Sequence, residues 1–152
     1  MNRRTFISSA LSTILLSYQA RLFAGEEVNA LNKTGYISEP LFLDHHISPN
    51  HPERPDRLKY IQKAMQDSGL LDQVTRVGLK DRVGDWIKSL HTDAHIASIK
   101  KNTPTAHRAA EACVRACLAA VDKVAADELN NIFCATRPPG HHALNTGKEE
   151  GF

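Results

Sequence analysis

Asn131-Ile132-Phe133-Cys134-Ala135-Thr136 runs directly into Arg137-Pro138-Pro139-Gly140-His141-His142-Ala143, and the fold is read outward from this stretch. The first six residues form a short apolar, β-favouring run, which predicts a buried parallel strand. The loop therefore starts at a strand's C-terminal end, where the crevice of an open α/β sheet receives its ligands. Pro138 and Pro139 fix their own φ and push the residue before each toward extended geometry. Gly140 can adopt backbone conformations closed to other residues or allow close backbone approach. The loop is stiff where it presents His141 and His142.

Consecutive side chains on an extended loop diverge, so this pair is poorly built to grip one metal ion together. Acting on a metal-bound water suits it better. An imidazole titrates near neutrality, and a neighbouring imidazole or metal moves its pKa, so one ring can take a proton while the other stays charged or donates a hydrogen bond. Two adjacent histidines can also be incidental to a surface loop. The Arg-Pro-Pro-Gly lead is what sets this pair apart.

Upstream, residues 30–35 read as linker and residues 36–43 as a first strand leading to the His45-His46 corner. Asn50, Pro52 and Pro55 mark a loop into a helix over residues 57–69, with Leu58, Ile61, Ala64 and Met65 spaced to line one face. Gly69 is placed as its stop. Residues 74–79 suggest a second strand, 85–100 one or two short helices, and 105–127 a long helix. Strands alternating with helices predict an α/β fold with a mainly parallel sheet. No repeat or low-complexity tract interrupts the pattern.

The 152 residues, 41% hydrophobic, sit in the range of one domain or part of one. The chain holds 19 basic and 17 acidic residues. Residues 1–24 contain three arginines and no acid, leaving 16 against 17, a net charge of −1 for the remainder. That balance, without a basic stripe interleaved with aromatics, argues against a nucleic-acid partner. Of the three cysteines, Cys113 and Cys117 lie four apart in an alanine-rich helix, where a disulfide between them would be strained. All three, Cys134 included, read as small packing residues.

The loop from Arg137 to Ala143, followed after a polar insert by Gly151-Phe152, resembles the active-site loop of the histone deacetylase superfamily, which includes acetylpolyamine amidohydrolases. His51-Pro52-Glu53-Arg54-Pro55-Asp56-Arg57-Leu58 is similar to the superfamily's early histidine-proline-glutamate motif. Leu90-His91-Thr92-Asp93-Ala94-His95-Ile96 resembles its next helical landmark. The similarity runs from about Tyr36 to Phe152, and the Arg-Pro-Pro lead resembles the class II branch and its bacterial relatives.

This resemblance implies an arginase/deacetylase-like three-layer fold, incomplete in this chain, and metal-assisted hydrolysis of an acetamide. By position, His142 resembles the general base and then acid, and His141 its electrostatic and hydrogen-bonding partner. Phe152 and Gly151 match the wall of the substrate tunnel. Arg57 matches an arginine of the inner channel, where a cation could attract departing acetate; it reads equally as a helix-start arginine with a surface partner. The superfamily's zinc ligands, an Asp-x-His pair and a later aspartate, fall downstream of residue 152, as does its oxyanion-steadying tyrosine or histidine. No metal ligand is thus assigned within the chain. The sequence is expected to be the N-terminal part of an enzyme, inactive by itself, with an aggregation-prone apolar sheet edge.

The other end carries an address. Asn2-Arg3-Arg4-Thr5-Phe6-Ile7-Ser8, an apolar run over residues 10–16 and small residues near Ala24 suggest a twin-arginine signal peptide over residues 1–24. An uncleaved amphipathic N-terminal helix is the alternative. Residues 25–35 then form a linker and 36–152 the partial deacetylase domain. Export to the periplasm, with no membrane span left after cleavage, makes histones unsuitable substrates and favours small acetylated amines or acetylated peptides. The oligomeric state is not specified by any pattern in the chain.

Two further readings stay open. A non-catalytic protein on the deacetylase scaffold could bind acetylated ligands without turnover. His91 and His95, four apart, could share one helix face and bind zinc, although Thr92 stands where a metalloprotease helix carries glutamate, and a capping or bridging histidine fits better. His45-His46 lack a stiffening glycine-proline context and receive no catalytic role.

Overall fold

The structure, a computed structural model, describes residues 33–141. Three parallel strands, β1 (Thr34–Ile37), β2 (Thr75–Arg76) and β3 (Asn131–Cys134), form a sheet in the order β2-β1-β3. The helices are α1 (Asp56–Asp67), α2 (Asp93–Asn102) and α3 (Pro104–Ala125). Tyr36 in the central strand faces Arg76 on one side and Phe133 on the other. The predicted α/β class with a parallel sheet is what is found.

The first strand is displaced from its predicted bounds. Thr34 and Gly35 belong to β1 rather than to a linker, and the strand ends at Ile37. Pro40 lacks the amide hydrogen a ladder needs, and residues Pro40–Asp44 instead wind into a 3-10 helix that buries Phe42. Gly35 is required by close strand packing, because a Cβ there would sit 2.8 Å from both Ile132 Cγ1 and Leu129 Cδ1. The second strand shrinks to a two-residue pairing. Its last bond to the sheet runs from the Val77 amide to the Tyr36 carbonyl at 3.1 Å.

Helix α1 begins and ends close to expectation, and Gly69 follows its last turn with φ +69°, the left-handed conformation of a C-terminal stop. Residues 84–90 form turns rather than helix. Helix α2 then starts at Asp93, because the Thr92 hydroxyl caps it by accepting the His95 amide at 3.2 Å. In α3, Ala109, Ala112, Ala116 and Ala119 are buried at helical spacing. Small side chains there let the helix lie close to the sheet and to the 3-10 segment.

Tyr36, Ile37, Phe42, Leu58, Ala112, Ala116 and Ala135 are central to the hydrophobic cluster. Tyr36 places its hydroxyl in a 3.0 Å bond to Gln62 Oε1 of α1, so a buried phenol keeps a polar partner. The third strand is less buried than predicted. Among the described residues it pairs only with β1, and alternate residues, Phe133 among them, face outward. The cysteines also depart from expectation: Cys113 and Cys134 are half-buried and Cys117 is exposed. No helix among the described residues is long and apolar enough to cross a membrane.

Candidate functional site

Strand order fixes where a site can form. The chain goes from central β1 out to β2, then returns across the sheet to β3 on the other flank. In an open parallel sheet such a reversal leaves a crevice beyond the C-terminal ends of the two strands that part there, here β1 and β3. The 3-10 segment leaves one of those ends and the Arg137 loop leaves the other.

Arg137 closes the crevice from within. Its side chain is 2% exposed and its partner Glu53 is 5% exposed. The guanidinium donates through Nε to Glu53 Oε1 at 2.5 Å and through Nη2 to Oε2 at 2.7 Å. It also donates through Nη1 to the Phe42 carbonyl at 3.2 Å and through Nη2 to the His45 carbonyl at 3.0 Å. This bidentate fork binds the histidine-proline-glutamate segment, the turn after β1 and the loop after β3 into one unit. The hydrogen bond from Arg137, ahead of every other influence, holds the Glu53 carboxyl below the usual carboxylate range. The segment is further shaped by His51, whose Nδ1 accepts the Glu53 amide at 3.0 Å.

Arg57 lies on the first turn of α1, mostly exposed, with its guanidinium 3.7 Å from Glu53 Oε1. It lines a cavity of about 170 Å³ together with Glu53, Leu58, Thr136, Arg137 and Pro139. The cavity thus joins Arg57 to the loop's start. The Arg137-Pro138 peptide is cis, and the Cys113 thiol of α3 donates to the Pro138 carbonyl at 3.4 Å. His141 follows on an exposed turn at the end of the described segment and does not line that cavity. His142, Gly151 and Phe152 lie outside the described residues, as do the proposed signal peptide and most of the linker.

His91 and His95 are arranged differently from the predicted shared helix face. His91 precedes the Thr92 cap, so only His95 is helical, yet their rings approach to 5.4 Å between centroids. No group of three or more His, Cys, Asp or Glu side chains able to hold a metal ion occurs among the described residues.

His45, given no role from sequence, is a structural part of this site. Its carbonyl receives Arg137, while its ring is buried and neither ring nitrogen has a hydrogen-bond partner. Burial, opposed only by the Glu53 charge, pushes its pKa below 6.5. Both shifted groups bind fewer protons folded than unfolded, so stability falls as pH falls. The His45 contribution is intact above 6.5 and is lost as pH drops through its lower folded value. The Glu53 contribution follows below 4.5. Urea midpoints are expected to fall between pH 7.5 and 5.5 and again toward pH 4; a flat midpoint over the first interval in the wild type, or an unchanged one in His45→Phe, would contradict the assignment.

Comparison with known proteins places these features in context. The sequence profile of the histone deacetylase domain matches residues 51–152. A protein of Archaeoglobus fulgidus named "Probable deacetylase" is 30% identical over 130 residues, covering 72% of this chain and 35% of its own length. Human histone deacetylase 9 is 25% identical over 152 residues, covering 72% of this chain and 15% of its own. The chain therefore spans about a third or less of these relatives. Among solved structures, the HDA15 HD domain superposes with a TM-score of 0.63 at 22% identity, over 73% of this chain and 36% of that one, a likeness of fold.

Proposed function

The chain belongs to the histone deacetylase family, and from that premise we propose that it supplies the proton-handling loop of a zinc-dependent amidohydrolase that removes acetyl groups from acetylated amines. The observation carrying this reading is the Arg137 anchor, which fixes the start of the Pro-Pro-Gly-His-His loop at the crevice between β1 and β3. A loop so held presents its histidines from a rigid base, as positioned acid/base groups require. His142 takes the proton of the attacking water and returns it to the leaving amine; His141 stabilises the charge that builds beside it. Gly151 and Phe152 border the substrate, and Arg57, on the cavity wall, offers a positive charge to the carboxylate product.

The described residues do not offer a zinc site, so no ligand is assigned and no step is drawn through the metal. The twin-arginine-like start supports export to the periplasm, which favours small N-acetyl amines and acetylated peptides as substrates. The test is acetate release by the full gene product from an acetyl-lysine peptide and an N-acetylpolyamine. Activity is expected on at least one, lost after chelation and restored by zinc. Binding of both substrates without acetate release in the zinc-supplied protein would replace the hydrolase with a binding protein.

A further inference from the structure

Helix α3 and strand β3 carry a pair of thiols that the acid/base chemistry does not use. Cys117 is exposed on α3, and Cys134, the last residue of β3, is half-buried; their side chains hydrogen-bond to each other. Sequence spacing drew attention to Cys113 and Cys117 instead. Cys113, however, turns toward the loop, donating to the Pro138 carbonyl.

We propose that Cys117 and Cys134 form a redox modification site, a dithiol that a low-molecular-weight disulfide converts to an intramolecular disulfide joining α3 to the C-terminal end of β3. The geometry supports closure, since a disulfide needs its sulfurs at about 2.05 Å and these two are already in hydrogen-bond contact across packed elements. The chemistry is asymmetric in a useful way. The Cys134 S–H stabilises the Cys117 thiolate and draws its pKa down, while that same contact and burial push Cys134 up. An accessible, acidic thiol beside a second one is the arrangement of a nucleophile and its resolving partner.

In the first step the Cys117 thiolate attacks one sulfur of the small disulfide, forming a mixed disulfide and expelling one thiolate. Cys134 then loses its proton to solvent and attacks the Cys117 sulfur, expelling the second thiolate. Two protein thiols give up two electrons, and the small disulfide gains them as two thiols. The new bond lies three positions before Arg137 and one helical turn from Cys113, so it ties the platform beneath the loop to α3.

Oxidised glutathione supplied to the reduced full-length protein tests this, followed by alkylation, unreduced digestion and mass spectrometry. The expected product has lost two thiols, carries a Cys117–Cys134 linkage and leaves Cys113 alkylatable. In the reduced protein at pH 7, iodoacetamide should modify Cys117 at least about tenfold faster than Cys134. Cys134→Ser should stop at a stable glutathione adduct on Cys117. A link to Cys113, an adduct that persists on Cys117 of the wild type, unchanged thiols, or faster alkylation of Cys134 would overturn the proposal. Mapping on the wild type decides between these outcomes even if the variant fails to fold.

Discussion

Glu53→Ala is expected to lower folding stability by about 3–5 kcal/mol, the usual cost of leaving one member of a buried ion pair without its partner. Arg137 would keep its bonds to the Phe42 and His45 carbonyls but lose both contacts that neutralise it. Arg57 cannot compensate, because it carries the same charge and would add repulsion. Against a total stability of roughly 5–15 kcal/mol, such a loss consumes a large share. Arg137→Ala should cost a similar amount, because it strands Glu53 and two buried carbonyls. The double variant should cost clearly less than the sum, since each single change already breaks the same pair. Urea unfolding of the four proteins measures this directly, and single-variant losses below about 1 kcal/mol would place the pair among weakly coupled surface charges.

The same pair shows what could be read from the sequence and what could not. Helix α1, Gly69 and the strand before Arg137 were legible because their signals are local: apolar spacing, a stop residue and a β-favouring run. Residues 36–43 misled because β-favouring side chains hid the effect of Pro40, whose missing amide turns the chain into a 3-10 helix. The two-residue β2 is held by pairing with β1, a tertiary fact that no residue in 74–79 announces. Glu53 and Arg137 are 84 positions apart, so no periodicity links them. A physical signal was nevertheless present: an arginine directly after an apolar strand must find an anion if it stays buried, and Glu53 sits in the other recognisable motif. His45 offered nothing comparable. Its burial follows from the path the chain takes around Phe42, and its neighbour His46 remains exposed.

His142→Ala in the full gene product is expected to reduce turnover of an acetyl-lysine substrate by about two to four orders of magnitude, the range for a positioned acid/base group. The loss should fall on kcat, because the imidazole acts on the proton in flight and contributes little to holding the ground-state substrate. His141→Ala should be milder and should shift the pH dependence, since removing a neighbouring imidazole changes the pKa of the one that remains. Arg137→Lys separates chemistry from support. A lysine keeps the positive charge but cannot reproduce the bidentate fork on Glu53 together with both carbonyl contacts. It should therefore loosen the loop and lower kcat while leaving the limbs of the pH profile in place. If His142→Ala retains near-normal kcat in a folded, zinc-containing protein, the proton is handled elsewhere, and the loop's rigidity serves substrate binding instead.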